Sequence, residues 1–309
     1  MNVVLGCASF GGLYRPSSDE EAHAALEAAW ERGVRTFDTA PHYGVGLSEE
    51  RLGRFLRTKP RDEFTLSTKV GRLLVDDPDA VDGTDEFYGT PARSRRRDYS
   101  SDGVLRSLEE SLSRLGLDRV DVALVHDPEE FMDQAIGEAV PALARLRDEG
   151  VIRSFGVGTN VTATAERFAS ETEADTIMIA GRYSLLDRRA EDGLLPLCQE
   201  HGVRVLVAAV FNSGLLVDPQ PGARFNYEPA PEWLVAAARR MAEACERRAV
   251  PLRAAALQAP ARHPAVSSVV IGAGRATSVR DSFDQLEVAI PEELWSELDA
   301  LVPDQARLP

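Results

Sequence analysis

A closed barrel of eight parallel β-strands, each followed by a helix, is the fold this sequence predicts, and three observations predict it. Short β-branched runs and longer amphipathic stretches alternate about eight times along the 309 residues, the pattern of strands joined by crossover helices. The strand-like runs are apolar almost throughout rather than at every second residue, which marks strands covered on both faces, as in a parallel sheet. No Pro- or Ser-rich linker interrupts the series, and 309 residues suit one α/β barrel, which commonly runs to about 250. Residues 1–309 are therefore read as a single (β/α)8 domain.

The elements follow in order. The strand runs are NVVLG (2–6), VRTFD (34–38), FTLSTKV (64–70), VDVALVH (120–126), IRSFGVG (152–158), DTIMIAG (175–181), VRVLVAA (203–209) and SSVVIG (267–272). Helical patterns lie between them, and DEEAHAALEAAWERG and SDGVLRSLEESLSRLG each end in glycine, as a helix C-terminus often does. Two connections exceed the usual length, 71–99 after the third strand and 211–230 after the seventh. Long loops inside a compact domain are usually functional, and both of these project from the C-terminal face where barrels keep their chemistry.

Composition narrows the partners. A net charge of −15 repels nucleic acid and anionic membranes at long range, so a small molecule is the expected ligand. The basic run RSRRR (93–97) reads as a solvated loop whose charges offset the acidic stretch before it. No apolar stretch nears the roughly 20 residues of a membrane span and no signal segment is recognisable, which predicts a cytoplasmic protein. Cys7, Cys198 and Cys245 are odd in number and widely spaced, so they read as core thiols rather than a disulfide or zinc framework. Nothing in the sequence fixes an oligomeric state.

Three successive strands deliver ionisable groups to one rim: Asp38, Lys69 and His126, with Tyr43 in the loop after Asp38. Lys69 is the telling member, because only it and Lys59 are lysines among 35 basic residues. Arginine is a wide fork that is always charged, whereas lysine is a compact charge whose proton affinity responds to its surroundings. An ammonium held by Asp38 and directed at the Tyr43 hydroxyl would draw the phenol down from its ordinary value near 10. His126 could then hydrogen-bond a carbonyl or alcohol oxygen and fix it against the phenol and a hydride donor.

FDTAPHYGVGLSEERLGRFL, STKVG, LVHDPE and FGVGTN, at these spacings, resemble the aldo-keto reductase superfamily over essentially the whole chain. The resemblance implies Tyr43 as general acid/base, Asp38 and Lys69 as the groups that tune it, and His126 as the residue that orients substrate. It implies a nicotinamide cofactor, NAD or NADP, extended over the barrel mouth without a Rossmann glycine motif. Thr159 and Asn160 match the carboxamide-binding positions and Tyr183 the ring that stacks on nicotinamide, while a usual glutamine is Ala180 here. Phe211, Asn212, Ser213, Gly214 and Leu215 match the pyrophosphate loop. Ile271, Gly272, Ala273, Gly274, Arg275, Ser278, Arg280, Asp281 and Ser282 match the segment that holds the adenosine end. A lysine, an arginine and an asparagine of many NADP-dependent relatives are Gly272, Ser278 and Ser282 in this chain, which leaves the choice of cofactor open.

Within the superfamily the chain is most similar to the branch that includes aldose, fucose and pyridoxal dehydrogenases, implying oxidation of a sugar hemiacetal to a lactone; the pocket walls are expected from the loops, with Phe10, Tyr88 and Arg182 as candidates. Reduction of a non-sugar aldehyde or ketone is the alternative within the fold. Two other classes are weighed: a metal-dependent hydrolase using Asp38, His42, His126 and Asp127, which leaves Lys69 without a role, and a nucleotide-sensing binding module, against which the complete tetrad argues.

Overall fold

The computed structural model describes residues 2–309. Eight strands close into one parallel barrel: β1 Asn2–Gly6, β2 Thr36–Asp38, β3 Thr65–Val70, β4 Val122–His126, β5 Ser154–Thr159, β6 Thr176–Ala180, β7 Arg204–Ala208 and β8 Val266–Gly272. Each pairs with its neighbours in sequence, and β8 closes on β1 from Asn2↔Ser268 to Gly6↔Gly272. The second strand is shorter than its apolar run suggests. The Val34 N–H is already bonded to the Ala29 carbonyl at 3.0 Å, finishing the preceding helix, so pairing begins later.

Local chemistry sets the helix ends. Ser18 and Glu21 form a reciprocal capping box at the start of the helix Asp19–Glu31, satisfying two N–H groups that the first turn leaves free. Ser100 caps the helix Ser101–Leu115, which stops at Gly116 in a left-handed conformation, the cheap residue there because it has no Cβ. The helix Leu47–Leu56 is tied inward by Glu49, which is fully buried and accepts from Thr68 Oγ1 and Arg114 Nε, each at 2.7 Å. A buried carboxylate is tolerated only when paired in this way, so one side chain fastens the segment after Tyr43 to β3 and the next helix.

Val4, Leu124, Met178 and Val270 fill the barrel interior, and the larger apolar cluster lies between the strands and their helices. Because the interior is a packed plug rather than a pore, polar groups at the strand C-terminal ends collect above it, at the mouth. The long segment 71–99 forms a hairpin there, Arg72–Asp76 paired antiparallel with Arg93–Arg97. The basic run is thus a strand, which corrects its reading as a solvated loop. Alternate residues of a strand face opposite sides: Arg93 pairs with Glu50, Arg95 donates to the His42 carbonyl and Arg97 lines the well, while Arg96 lies beside Asp98. A smaller hairpin, Arg224–Phe225 with Glu228–Pro229, rises from the other long segment. Among the described residues no helix is long and apolar enough to cross a membrane, and the three cysteines are buried and free.

Candidate active site

Strands β2, β3 and β4 end side by side, and the four singled-out groups meet above them. Lys69 Nζ donates to Asp38 Oδ2 at 2.6 Å and to the Thr39 carbonyl at 3.0 Å. Asp38 also accepts from Ser67 Oγ at 2.8 Å, so its carboxylate is fully engaged. The ammonium stands 4.6 Å from the centroid of the Tyr43 ring. His126 meets that ring edge-on, with centroids 5.8 Å apart at 90°. The loop carrying Tyr43 is pinned by a backbone contact that only glycines permit: a Cβ on Gly44 would lie 2.2 Å from the Gly11 carbonyl oxygen, and one on Gly11 would lie 2.5 Å from the Tyr43 backbone.

The proton affinities follow from burial and charge. Burial pushes the Tyr43 phenol up to about 12, against Lys69, which pulls it down by charge and hydrogen bonding. The expectation that lysine brings the phenol toward neutral pH is corrected: desolvation of the phenolate is the larger effect. Burial draws the Lys69 amine down, but Asp38 and Tyr43 outweigh it and leave the amine above its ordinary value, hence charged. His126 is held well below 6.5 by burial and by the nearby Arg72 and Lys69, so its imidazole is neutral at physiological pH. The site is therefore a protonated phenol, a charged amine bound to a carboxylate, and a neutral histidine.

Two adjoining hollows open over this cluster. One, about 450 Å³, is a well lined by Tyr43, His126, His42, Phe87, Arg72 and Asp127. The other, about 430 Å³, is a groove running from Tyr43 past Ser213 and Gly214 to Ile271 and Gly272. They share a floor of Met178, Ala180 and Ala208. A larger hollow of about 640 Å³ opens at the opposite end of the barrel, among residues such as Asn2, Thr65 and Arg204. It contains none of the four ionisable groups, so volume alone does not locate chemistry here.

The remaining expected residues divide. Asn160 and Thr159 line the well, although the Thr159 hydroxyl is engaged by Glu129 and by the Val161 N–H. Phe211, Asn212, Ser213 and Gly214 line the groove, but the Asn212 amide is spent internally on Ser184 and Gly181. Leu215, Ala273 and Ser282 are buried. Asp281 pairs with Arg253 at 2.6 Å, Arg275 and Arg280 lie within 4 Å of Glu21 and Glu31, and Ser278 is half-buried on the helix that follows β8.

Four expectations are corrected by position. Tyr183 turns out of the groove into a separate hollow, its ring edge-on to His263 at 5.9 Å, so it is not placed to stack at the mouth. Phe10 is 0% exposed within the core and lines neither hollow. Tyr88 faces away, and its neighbour Phe87 lines the well instead. Phe87 bridges to Leu13 in extended backbone, where successive side chains point to opposite sides. Arg182 lies outside both hollows as a brace, donating to the Asn160 carbonyl at 2.7 Å, to Asn226 at 2.7 Å and to Asp187 at 3.2 Å.

The sequence reading missed Tyr227, which lines both hollows and stands 6.3 Å from Tyr14 by ring centroids. It follows Asn226 at the tip of the small hairpin, and both have positive φ, +51° and +69°. That is the geometry of a primed two-residue turn, where glycine is usual second. A tyrosine there is strained, and the pair Asn-Tyr between short extended runs is the signal that could have found it.

Comparison with known proteins shows the family. The profile of the Aldo/keto reductase family matches residues 2–303. A D-threo-aldose 1-dehydrogenase from Pseudomonas sp is 44% identical over 95% of this chain and 91% of its own length. A pyridoxal 4-dehydrogenase from Microbacterium luteolum is 40% identical, covering 95% and 92%. Among solved structures, the holo form of an aldo-keto reductase from Bacillus halodurans superposes with a TM-score of 0.75 at 25% identity, covering 99% of this chain and 95% of that one. With a matching profile along nearly its whole length and the barrel to go with it, the chain belongs to the aldo/keto reductase family.

Proposed function

We propose that this NAD(P)-dependent oxidoreductase oxidises the ring form of an aldose at its anomeric carbon, giving the lactone, and that residues 1–309 act as one catalytic domain. The observation that carries the reading is the buried Asp38–Lys69 pair set against Tyr43 and beside His126 at the barrel mouth. Such a pair has no packing rationale, since replacing it by apolar residues would avoid the cost of desolvating two charges.

The groove fits an extended dinucleotide. Two of its three floor residues, Ala180 and Ala208, are small, and a Cβ added at Gly214 or Gly272 would meet nothing within 4 Å, so bare backbone there allows close approach of phosphate and ribose. Asn160 would hold the carboxamide, Ser213 and Gly214 the pyrophosphate, and Gly272 with Arg275 the adenosine end. Bound there, the cofactor supplies the acceptor for the hydride that leaves the sugar carbon.

The protein's own residues do the rest. Tyr43 takes the proton of the anomeric hydroxyl, for which it must first be deprotonated. Lys69 stabilises the resulting phenolate, and Asp38 fixes the lysine in place. Neutral His126 hydrogen-bonds the same substrate oxygen and sets its distance to the phenol. In the reverse direction Tyr43 is already protonated and donates.

The charged and polar side chains in the well, among them Arg72, Asp127 and Asn160, offer partners to hydroxyls, and the 44% identity to an aldose dehydrogenase supports that class. The Phe87 ring, 6.1 Å from Tyr43 between centroids and inclined 27° to it, favours a second reading, a planar aromatic aldehyde, in keeping with the pyridoxal relative. A panel of aldoses, pyridoxal and simple aldehydes with both cofactors, followed at 340 nm, separates the two. Aldose-dependent cofactor reduction with lactone as product is expected. Turnover confined to pyridoxal or simple aldehydes would overturn the sugar reading.

A further inference from the structure

The well contains one charged pair that proton and hydride transfer leave without a task. Asp127 directly follows β4, and its Oδ2 accepts from Arg72 Nη2 at 2.5 Å. The same oxygen stands 3.6 Å from His126 Nε2. Arg72 is fixed in turn, its Nη1 lying 3.0 Å from His42 Nδ1. Among the described residues no hydrogen bond reaches Asp127 Oδ1, and the side chain remains one-third exposed, facing the well.

The carboxylate is also held in an unusual way. Asp127 has φ +44°, a left-handed conformation that aspartate tolerates better than most residues but still at some cost. The Tyr99 hydroxyl donates to the carbonyls of both His126 and Asp127, at 2.6 and 2.9 Å, and the Asp127 N–H bonds the Gly158 carbonyl at 3.0 Å. Tyr99 is itself fully buried. A clamped strand end, a strained residue and a carboxylate with one oxygen fixed and one free describe a group that is aimed.

What it is aimed at follows from the reacting oxygen. That atom must lie within hydrogen-bond reach of the Tyr43 hydroxyl and His126 Nε2. Oxygens on adjacent carbons of a sugar are separated by roughly one hydrogen-bond length, and the Asp127 carboxylate stands 3.6 Å from His126 Nε2, so a hydroxyl next to the reacting one comes within its reach. We propose that Asp127, oriented by Arg72, is the specificity-determining residue for a hydroxyl on the carbon next to the reacting carbon, accepting its hydrogen bond through Oδ1. The inference rests on the aldose reading and deepens it: the site selects vicinal hydroxyls, not sugars in general.

The test is a cycle between residue and substrate. The kcat/KM of wild-type protein is measured for an aldose and for the same aldose lacking the adjacent hydroxyl, then repeated with Asp127→Ala and with Asp127→Asn. Wild type is expected to prefer the hydroxylated sugar by about ten- to a hundredfold, the range for a hydrogen bond to a charged group. In Asp127→Ala that preference should collapse to near one, and in Asp127→Asn it should shrink. A merely structural role would lower both substrates together and leave the ratio intact, which would overturn the inference. If wild type turns over both sugars equally, the inference fails while the aldose reading stands, even should the alanine variant not fold. If wild type turns over no aldose at all, the aldose reading fails and takes the inference with it.

Discussion

Tyr43→Phe is expected to fold normally, bind nicotinamide cofactor with wild-type affinity and lose roughly 10²–10⁴-fold in turnover, the range for removing a positioned acid/base. The substitution deletes one oxygen and keeps the ring that packs 6.1 Å from Phe87 and edge-on to His126. Its loop is fixed by the Gly11–Gly44 backbone contact and not by the hydroxyl. Turnover at 340 nm and cofactor binding by fluorescence titration, on the same preparation, separate lost chemistry from lost binding. Near-normal turnover would remove Tyr43 from the proton path.

Lys69→Arg should be nearly as damaging, although it preserves charge. The amine is 2% exposed and fills a slot bounded by Asp38, Thr39, Tyr43 and Gly158. Even a Cβ on Gly158 would lie only 3.3 Å from Lys69 Cε, so a guanidinium overpacks the site at a cost of about 1–3 kcal/mol. It also buries N–H groups that have no partner there, at about 1–3 kcal/mol each. Both a lower urea midpoint and lost turnover are expected, whereas an active, stable variant would show that the compact shape of lysine is unnecessary.

Much of this was legible in the sequence because strand ends are reliable addresses. In a barrel the C-terminal end of every strand points to one face, so Asp38, Lys69 and His126 could be placed together from their positions alone. Lysine scarcity was a weaker guide than it looked. The other lysine, Lys59, pairs with Glu27 at 3.3 Å and lies over the Trp30 and Phe55 rings, a structural use.

Loops were harder, for a physical reason: their side-chain directions depend on backbone paths that apolar periodicity does not encode. Phe87, not the expected Tyr88, faces the well, because in extended backbone one step along the chain turns a side chain to the opposite side. The run 93–97 hid alternation beneath uniform charge. A motif match does not carry the side-chain direction of Tyr183, whose ring packs toward His263. The balance between burial and charge at Tyr43 also lay beyond the sequence, since it depends on how much water the folded mouth excludes.

The central claim is that the buried lysine lowers the proton affinity of the phenol against the upward pull of burial, and the pH dependence of kcat/KM for oxidation tests it most directly, measured in wild type and in Lys69→Met with folding checked by circular dichroism. Tyr43 must be deprotonated to accept a proton and burial raises its pKa, so the wild-type rate should climb with pH. No inflection from His126 should fall near 6.5, because its imidazole is neutral well below that value. Removing the cation should raise the phenol further and displace the climbing limb to higher pH. A limb that stays where it was in wild type would contradict the account.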